Sequence, residues 1–162
     1  MPRAVVPFCG ILQVSDPRRF ERMGLSSRVT QPVIDSCFAN YLVGDSTIDV
    51  TAVHRSPEQA GLADPLCVIE QTPPARPYPP FYIPCGTADP LIDDSRRLAE
   101  ALRAHGGMAQ ASEFDGMGHS FHAWIVRKEA RLCWSETHAF LDSALGIHPS
   151  DAPPADTAES PE

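Results

Sequence analysis

The chain has 162 residues, of which 43% are hydrophobic and 21% charged, and its formal net charge at pH 7 is −8. This length suits a single domain, and the apolar fraction is sufficient for a core. The negative charge argues against nucleic acid and anionic membrane surfaces as partners. The sequence contains no apolar run long enough to span a bilayer, so we predict no membrane span.

The N-terminal stretch from Arg3 to Val14 is rich in Val, Ile, Leu and Phe, with little polar alternation. This pattern is typical of a strand buried on both faces of a parallel sheet. Pro7 and Gly10 interrupt the apolar run, and Asp16 and two arginines follow it without a clear cleavage site. We therefore interpret the stretch as a strand rather than a signal peptide.

The cysteines are odd in number and none stands in a Cys-x-x-Cys pair. They are Cys9, Cys37, Cys67, Cys85 and Cys133. Such a set favours free thiols in a reducing compartment, so we predict a cytoplasmic protein.

Three segments precede the second half of the chain. Residues 32–43 carry apolar side chains at near-helical spacing, which predicts a helix, and residues 49–63 are polar and loop-like. Residues 65–69 form a brief apolar segment that should pack on the sheet.

The second half reads as a strand–helix–strand unit followed by a helix. Phe81–Cys85 is a short apolar run bounded by prolines and Gly86, typical of a buried strand. Residues 93–105 have the periodicity of an amphipathic helix, and residues 110–114 predict a second strand, parallel to the first. Residues 121–145 predict the last long helix, ended by Gly146, and residues 147–162 a disordered acidic, proline-rich tail.

An acid and a histidine follow the two predicted strands. Asp89 comes just after the first strand and His119 just after the second. The carboxyl ends of neighbouring parallel strands are about 4.8 Å apart, so these loops can meet. A carboxylate that orients a histidine is two-thirds of a hydrolytic triad. The alternative is that Asp89 caps a turn and His119 is an ordinary surface histidine.

The same residues carry a family resemblance. Gly86-Thr87-Ala88-Asp89-Pro90-Leu91, followed by Gly116-Met117-Gly118-His119-Ser120-Phe121, resembles the C-terminal half of α/β-hydrolases, in particular their hormone-sensitive-lipase-like esterase branch. The resemblance implies hydrolysis of a carboxylic ester, with His119 as general base and acid and Asp89 as its orienter. Ser120 departs from the family, which usually has Gly there.

The resemblance also implies a partial fold. It predicts an α/β class with about three parallel strands flanked by helices, in a domain over residues 1–146. The family's Gly-Asp-Ser-Ala-Gly nucleophile elbow and its His-Gly-Gly oxyanion loop precede the matched region, and we expect neither in this chain. The chain alone should therefore be inactive. It could be a fragment of a longer esterase, a half that complements an N-terminal partner, or a non-catalytic binding module.

Two other sites compete with this interpretation. Gly44-Asp45-Ser46 resembles the first half of an elbow, but Ile48 stands where the second small residue is required, so we reject Ser46 as the nucleophile. His119 and His122 lie three residues apart, with Asp115 nearby. This pair of histidines lacks a third strong ligand, so we predict no metal and no cofactor. The expected partners are a small ester substrate and, through the edge strand at residues 3–14, a second copy or an N-terminal hydrolase half.

Overall fold

The computed structural model describes residues 2–13, 32 and 64–147. Its elements are helix α1 (Pro65–Gln71), strand β1 (Phe81–Gly86), helix α2 (Ile92–Ala104), strand β2 (Ala109–Phe114), a 3-10 helix (Phe121–Ala123) and helix α3 (Lys128–Leu145). The predicted helix over residues 32–43 lies outside the described residues in all but its first position. Ser46, Cys37, the whole 49–63 loop and the tail from residue 148 also lie outside them.

Strands β1 and β2 pair in parallel, with Phe81 opposite Ala109 and Gly86 opposite Phe114. This confirms the predicted strand–helix–strand unit, in which α2 is the crossover. β1 is buried from Tyr82 to Gly86, as expected for a strand with helices on both faces of its sheet.

Helices cover both faces of β1, and two successive β1 side chains, Tyr82 and Ile83, pack against helices on opposite faces. Ile83 joins a buried cluster that contains Leu66 of α1 and Leu102 of α2. Tyr82 points to the other face, where its ring lies 5.6 Å from that of Phe140 in α3. Because neighbouring strand residues face opposite ways, this pair places α1 and α2 on one side and α3 on the other.

Residues 65–69, predicted as an apolar segment on the sheet, form helix α1. Pro65 stands in its first turn, where a missing N–H is tolerated. Leu66 is fully buried against the sheet cluster, so the predicted packing is correct. Arg97 of α2 ties the helix down through a bidentate bond to Glu70, with both N–O distances 2.8 Å.

The predicted N-terminal strand is reduced to one parallel bridge, between Val5 and Phe81. The Val5 N–H donates to the Pro80 carbonyl, and the Tyr82 N–H donates to the Val5 carbonyl, both at 3.0 Å. The next donors in this ladder would be residues 7 and 84. Both are prolines, which have no N–H, so the ladder stops after one step.

Beyond the bridge, the N-terminal segment is held by side chains of α2 instead. The Leu12 N–H donates to the buried carboxylate of Asp94 at 2.9 Å, and Arg97 donates to the Gln13 side chain at 2.6 Å. The segment is thus fixed in place although it is not a strand.

The predicted helix from residue 121 was wrong over its first seven positions. After the 3-10 turn, Trp124 adopts ψ 66°, which leaves the helical region, and α3 begins only at Lys128. Ile125 and Val126 are β-branched and poor helix formers, and their carbonyls accept bonds from Arg131. Gly146 ends α3 with φ 68°, as predicted. Cys133, Thr137 and Phe140 form the buried face of α3. Within the described parts of the chain, none of the helices has the length and apolar character required to cross a membrane.

Candidate active site

The loops that follow β1 and β2 are joined by backbone hydrogen bonds. The Thr87 N–H donates to the Phe114 carbonyl and the Ala88 N–H to the Met117 carbonyl, both at 3.0 Å. In return, the Gly116 N–H donates to the Thr87 hydroxyl at 2.8 Å. The two loops therefore behave as one unit at the carboxyl edge of the sheet.

Gly86 permits this close approach. A Cβ atom at this position would lie 1.9 Å from the Met117 carbonyl oxygen, far inside any real contact. The Gly of the Gly86-Thr87-Ala88-Asp89 motif is thus required because the loop that carries His119 packs directly on the end of β1.

Asp89 is almost completely buried, with 2% of its surface exposed. Its Oδ1 accepts the Leu91 N–H at 2.8 Å, just before α2 begins. A buried carboxylate must be hydrogen-bonded or paired with a charge. The hydrogen bond from the Leu91 amide fixes the orientation of the Asp89 carboxylate, so that Oδ2 faces His119.

His119 lies against Asp89, as the sequence predicts. Its Nδ1 is 3.2 Å from Oδ2 and 3.3 Å from Oδ1 of Asp89. Half of the His119 side chain remains exposed, and it opens into a cleft of about 240 Å³ that Met117, Phe121, Trp124 and Arg127 also line. The ring is therefore anchored on one nitrogen and accessible elsewhere, which suits a group that transfers protons.

Ser120 occupies a strained backbone position. Its φ of 58° and ψ of 25° lie in the left-handed region, where a side chain is disfavoured by about 1–2 kcal/mol. This explains why Gly is usual at this position of the motif, and it shows that Ser120 retains the turn although it departs from the pattern.

Cys9 is a site residue that the sequence analysis missed. It is buried, its φ is 47°, and its sulfur lies within 4.8 Å of ligand atoms of both Asp89 and His119. A hydrogen bond with the Cys85 thiol, burial and the nearby Asp89 raise the pKa of Cys9 well above its ordinary value. The same bond lowers the pKa of Cys85. Ending the predicted strand at Pro7 would have placed Cys9 at the same sheet edge as the pair.

His122 sits in an aromatic setting beside the site. Its ring lies 4.6 Å from that of Phe8 and 6.2 Å from that of Trp134, and its Nδ1 is buried without a hydrogen-bond partner among the described residues. Burial and the nearby His119 lower its pKa. His122 is therefore neutral at pH 7 and belongs to the packing that supports the loop.

The other sequence candidates do not enter the site. Asp115 accepts a hydrogen bond from the Thr87 hydroxyl. Within the described ranges, the side chains close enough to share a metal ion are those of Cys9, Asp89 and His119, and neither Asp115 nor His122 is among them. The chain does contain a His-Gly-Gly tripeptide, at residues 105–107, contrary to our expectation. It lies before β2, at the opposite edge of the sheet from Asp89 and His119, so it cannot serve as their oxyanion loop.

Comparison with known proteins identifies the family. A family model described as the alpha/beta hydrolase fold matches residues 8–123, more than half of the chain. The chain therefore belongs to the alpha/beta hydrolase family.

Solved structures of three proteins share this fold. EstE5, from crystals soaked in ethyl alcohol, is 21% identical with a TM-score of 0.62 and matches 90% of this chain and 45% of its own. An esterase E25 is 18% identical with a TM-score of 0.59, at 87% and 40% coverage. An esterase of Pyrobaculum calidifontis is 20% identical with a TM-score of 0.54, at 90% and 44% coverage. The chain thus spans less than half of the length of these proteins. No curated protein sequence matches it.

Gly86→Ala should destabilise the chain by at least about 2 kcal/mol, because the added methyl group meets backbone that cannot move aside without separating the two loops. Gly118→Ala is the matched control: a Cβ there meets nothing within 4 Å and its φ is not positive. Urea denaturation measures both. Equal midpoints for the two variants would contradict the close approach at Gly86.

The stability of the chain should fall below pH 6.5 through His122. Because its pKa is lowered in the folded state, the unfolded chain takes up the proton first. Stability is complete above the ordinary value near 6.5 and is lost as pH falls towards the folded-state value. His122→Phe should flatten the decrease in melting temperature between pH 7.5 and 5. His138→Phe, which replaces an exposed ring on α3, should keep the wild-type slope, and an identical slope in the His122 variant would refute this assignment.

Proposed function

We propose that the chain supplies the acid–base half of a serine esterase site, with His119 as general base and acid and Asp89 as the residue that orients it. The observation that carries this proposal is the contact between the His119 Nδ1 and the buried carboxylate of Asp89 at 3.2 Å. Its supports are the chain order, aspartate before histidine, and membership in the alpha/beta hydrolase family.

The tautomer of His119 follows from this contact. Asp89 accepts a bond from the Leu91 amide and, when ionised, takes the Nδ1–H of His119 as a second donor. The lone pair of Nε2 is then free to remove the proton of an attacking serine. After the proton moves, the imidazolium is stabilised by the carboxylate, and Nε2 returns the proton to the leaving alcohol.

The nucleophile and the oxyanion donors must come from elsewhere than the described residues. The sequence contains no Gly-x-Ser-x-Gly motif, and Ser95 is buried in the first turn of α2. Ser120 lies beside His119, but in a left-handed turn that opens a 3-10 helix rather than in a strand–turn–helix elbow. We propose that a separate segment or polypeptide provides them, and that the substrate is a small carboxylic ester, consistent with the modest cleft beside His119.

The N-terminal segment is our proposed surface for that partner. Val5 pairs with β1 on one side only among the described residues, and the segment from residue 4 to residue 8 is half-buried and apolar. An incompletely paired apolar edge favours association with another chain. A second copy is the alternative occupant.

The buried free thiols at Cys9, Cys67, Cys85 and Cys133 support our proposal that the protein works in the cytoplasm.

The isolated chain should hydrolyse p-nitrophenyl acetate no faster than its His119→Ala variant, because large rate gains require both a positioned serine and an oxyanion hole. The measurement is initial rate at equal protein concentration. Turnover that Ser46→Ala abolishes would contradict the proposal and assign the nucleophile to that residue.

Mixing the chain with an N-terminal hydrolase half that carries the elbow should restore turnover. In that complex, His119→Ala should lower kcat by about 10⁴-fold or more, and Asp89→Asn by about 10⁴-fold through the wrong tautomer. His138→Ala, on the exposed side of α3, is the matched control and should leave kcat unchanged. Activity that survives His119→Ala would refute the assignment.

The purified chain should self-associate at micromolar concentration unless the N-terminal half is present, because its apolar edge is only partly covered. Size-exclusion chromatography with light scattering measures this. Val5→Lys places a charge on the edge and should shift the chain towards monomer, whereas Val126→Lys, on a side chain that is 80% exposed, should not. A monodisperse wild-type monomer would rule out the edge as an association surface.

A further inference from the structure

The carboxyl edge of the sheet brings together three different metal ligands. The Cys9 sulfur, a carboxylate oxygen of Asp89 and a ring nitrogen of His119 all lie within 4.8 Å of one another. Cys9 and Asp89 are buried and His119 is half exposed. We propose that this cluster binds Zn²⁺, with three protein ligands and one open position on the exposed side.

The ligand set suits zinc in charge and chemistry. Thiolate, imidazole and carboxylate are the groups that bind Zn²⁺ in proteins, and three of them with an open fourth position is a common zinc arrangement. One thiolate and one carboxylate neutralise the two positive charges of the ion. Hard cations such as Mg²⁺ disfavour a sulfur ligand, so the cluster selects against them.

The distances are close to those of a tetrahedral site. Zinc bonds of about 2.0–2.3 Å place neighbouring ligand atoms about 3.2–3.7 Å apart. The Nδ1 of His119 and the Oδ2 of Asp89 are already 3.2 Å apart. The three ligand atoms lie within 4.8 Å of one another, so the sulfur needs to approach by at most about 1.6 Å, and a rotation of the Cys9 side chain supplies a movement of that size.

Two of the ligands are held rigidly by the surrounding structure. The Leu91 amide fixes the Asp89 carboxylate through Oδ1, which leaves Oδ2 for the ion. His119 follows a turn that is tied to β1 through Ala88 and Met117. Ordered ligands reduce the entropy that binding must overcome.

Zinc binding releases one proton, from the Cys9 thiol, and is incompatible with the hydrogen bond between His119 and Asp89. The Cys9 S–H bond breaks, its proton leaves to solvent and the sulfur bonds to zinc as a thiolate. His119 binds through Nδ1 only as the neutral Nε2–H tautomer, so the Nδ1–H bond to Asp89 is lost. Zinc would therefore remove His119 from its role as base. That consequence rests on the proposed function, whereas the binding itself does not.

Co²⁺ titration of the full chain tests binding without any assay of hydrolysis. Cobalt in this cluster should give a thiolate charge-transfer band in the near ultraviolet at a one-to-one ratio, and Zn²⁺ should bleach it by displacement. Affinity should increase with pH because a proton is released.

Two of the proposed ligands are substituted in separate variants, so that one variant still tests the site if the other folds poorly. Cys9→Ser should remove the charge-transfer band, and His119→Ala should weaken binding by about tenfold or more. His119 is half exposed, so its loss leaves the core intact, and far-ultraviolet circular dichroism checks both folds. Cys37→Ser and His138→Ala are the controls and should bind as the wild type does.

Three outcomes would overturn the site. One is the absence of a thiolate band in the wild-type chain. Another is a band that survives Cys9→Ser and disappears in Cys37→Ser, which would place the ion at a different thiol. The third is binding that His119→Ala leaves unchanged. None of these results bears on whether His119 acts as a base in the complemented esterase.

Discussion

The contact between the end of β1 and the loop after β2 is the constraint on which the site depends. Gly86 lies directly under the Met117 carbonyl, and the Ala88 amide binds that same carbonyl. These two loops bring Asp89 and His119 together, although thirty residues separate them in sequence. The backbone contact between the two loops makes this juxtaposition of Asp89 and His119 a fixed property of the fold.

Burial divides the tasks within the pair. Asp89 is enclosed and bonded to the Leu91 amide, so its carboxylate cannot rotate towards solvent. His119 shares that carboxylate but keeps half of its side chain in the cleft. One partner therefore provides orientation and the other provides access, which is the arrangement that proton transfer to a substrate requires. The neighbouring Cys9 adds a soft ligand to the same edge and widens the chemistry that this edge can support.

Local patterns predicted the parts of the chain in which local forces decide the structure. The apolar run at 81–85 and the amphipathic spacing at 93–105 match β1 and α2 to within a residue or two, and the turn residues placed Asp89 and His119 correctly. The failures arose where long-range geometry decides. The N-terminal run looked like a complete strand, but a ladder needs donors in both chains, and Pro7 and Pro84 remove successive ones. Cys9 was overlooked for the same reason, since a strand through residue 14 would place Cys9 in its interior rather than at the edge where Asp89 and His119 lie. The start of α3 was misplaced because apolar residues 124–126 are exposed rather than packed.

Hydrogen exchange at the Leu91 amide reports on the state of the site. It precedes the ladder of α2, and its bond goes to a buried side chain rather than to a backbone carbonyl. Amides at helix starts usually exchange with deuterium quickly, because they have no partner within the helix. This one is protected by the same carboxylate that holds His119, so its exchange rate depends on the state of Asp89. A single backbone proton can therefore report by nuclear magnetic resonance on whether the pair is intact.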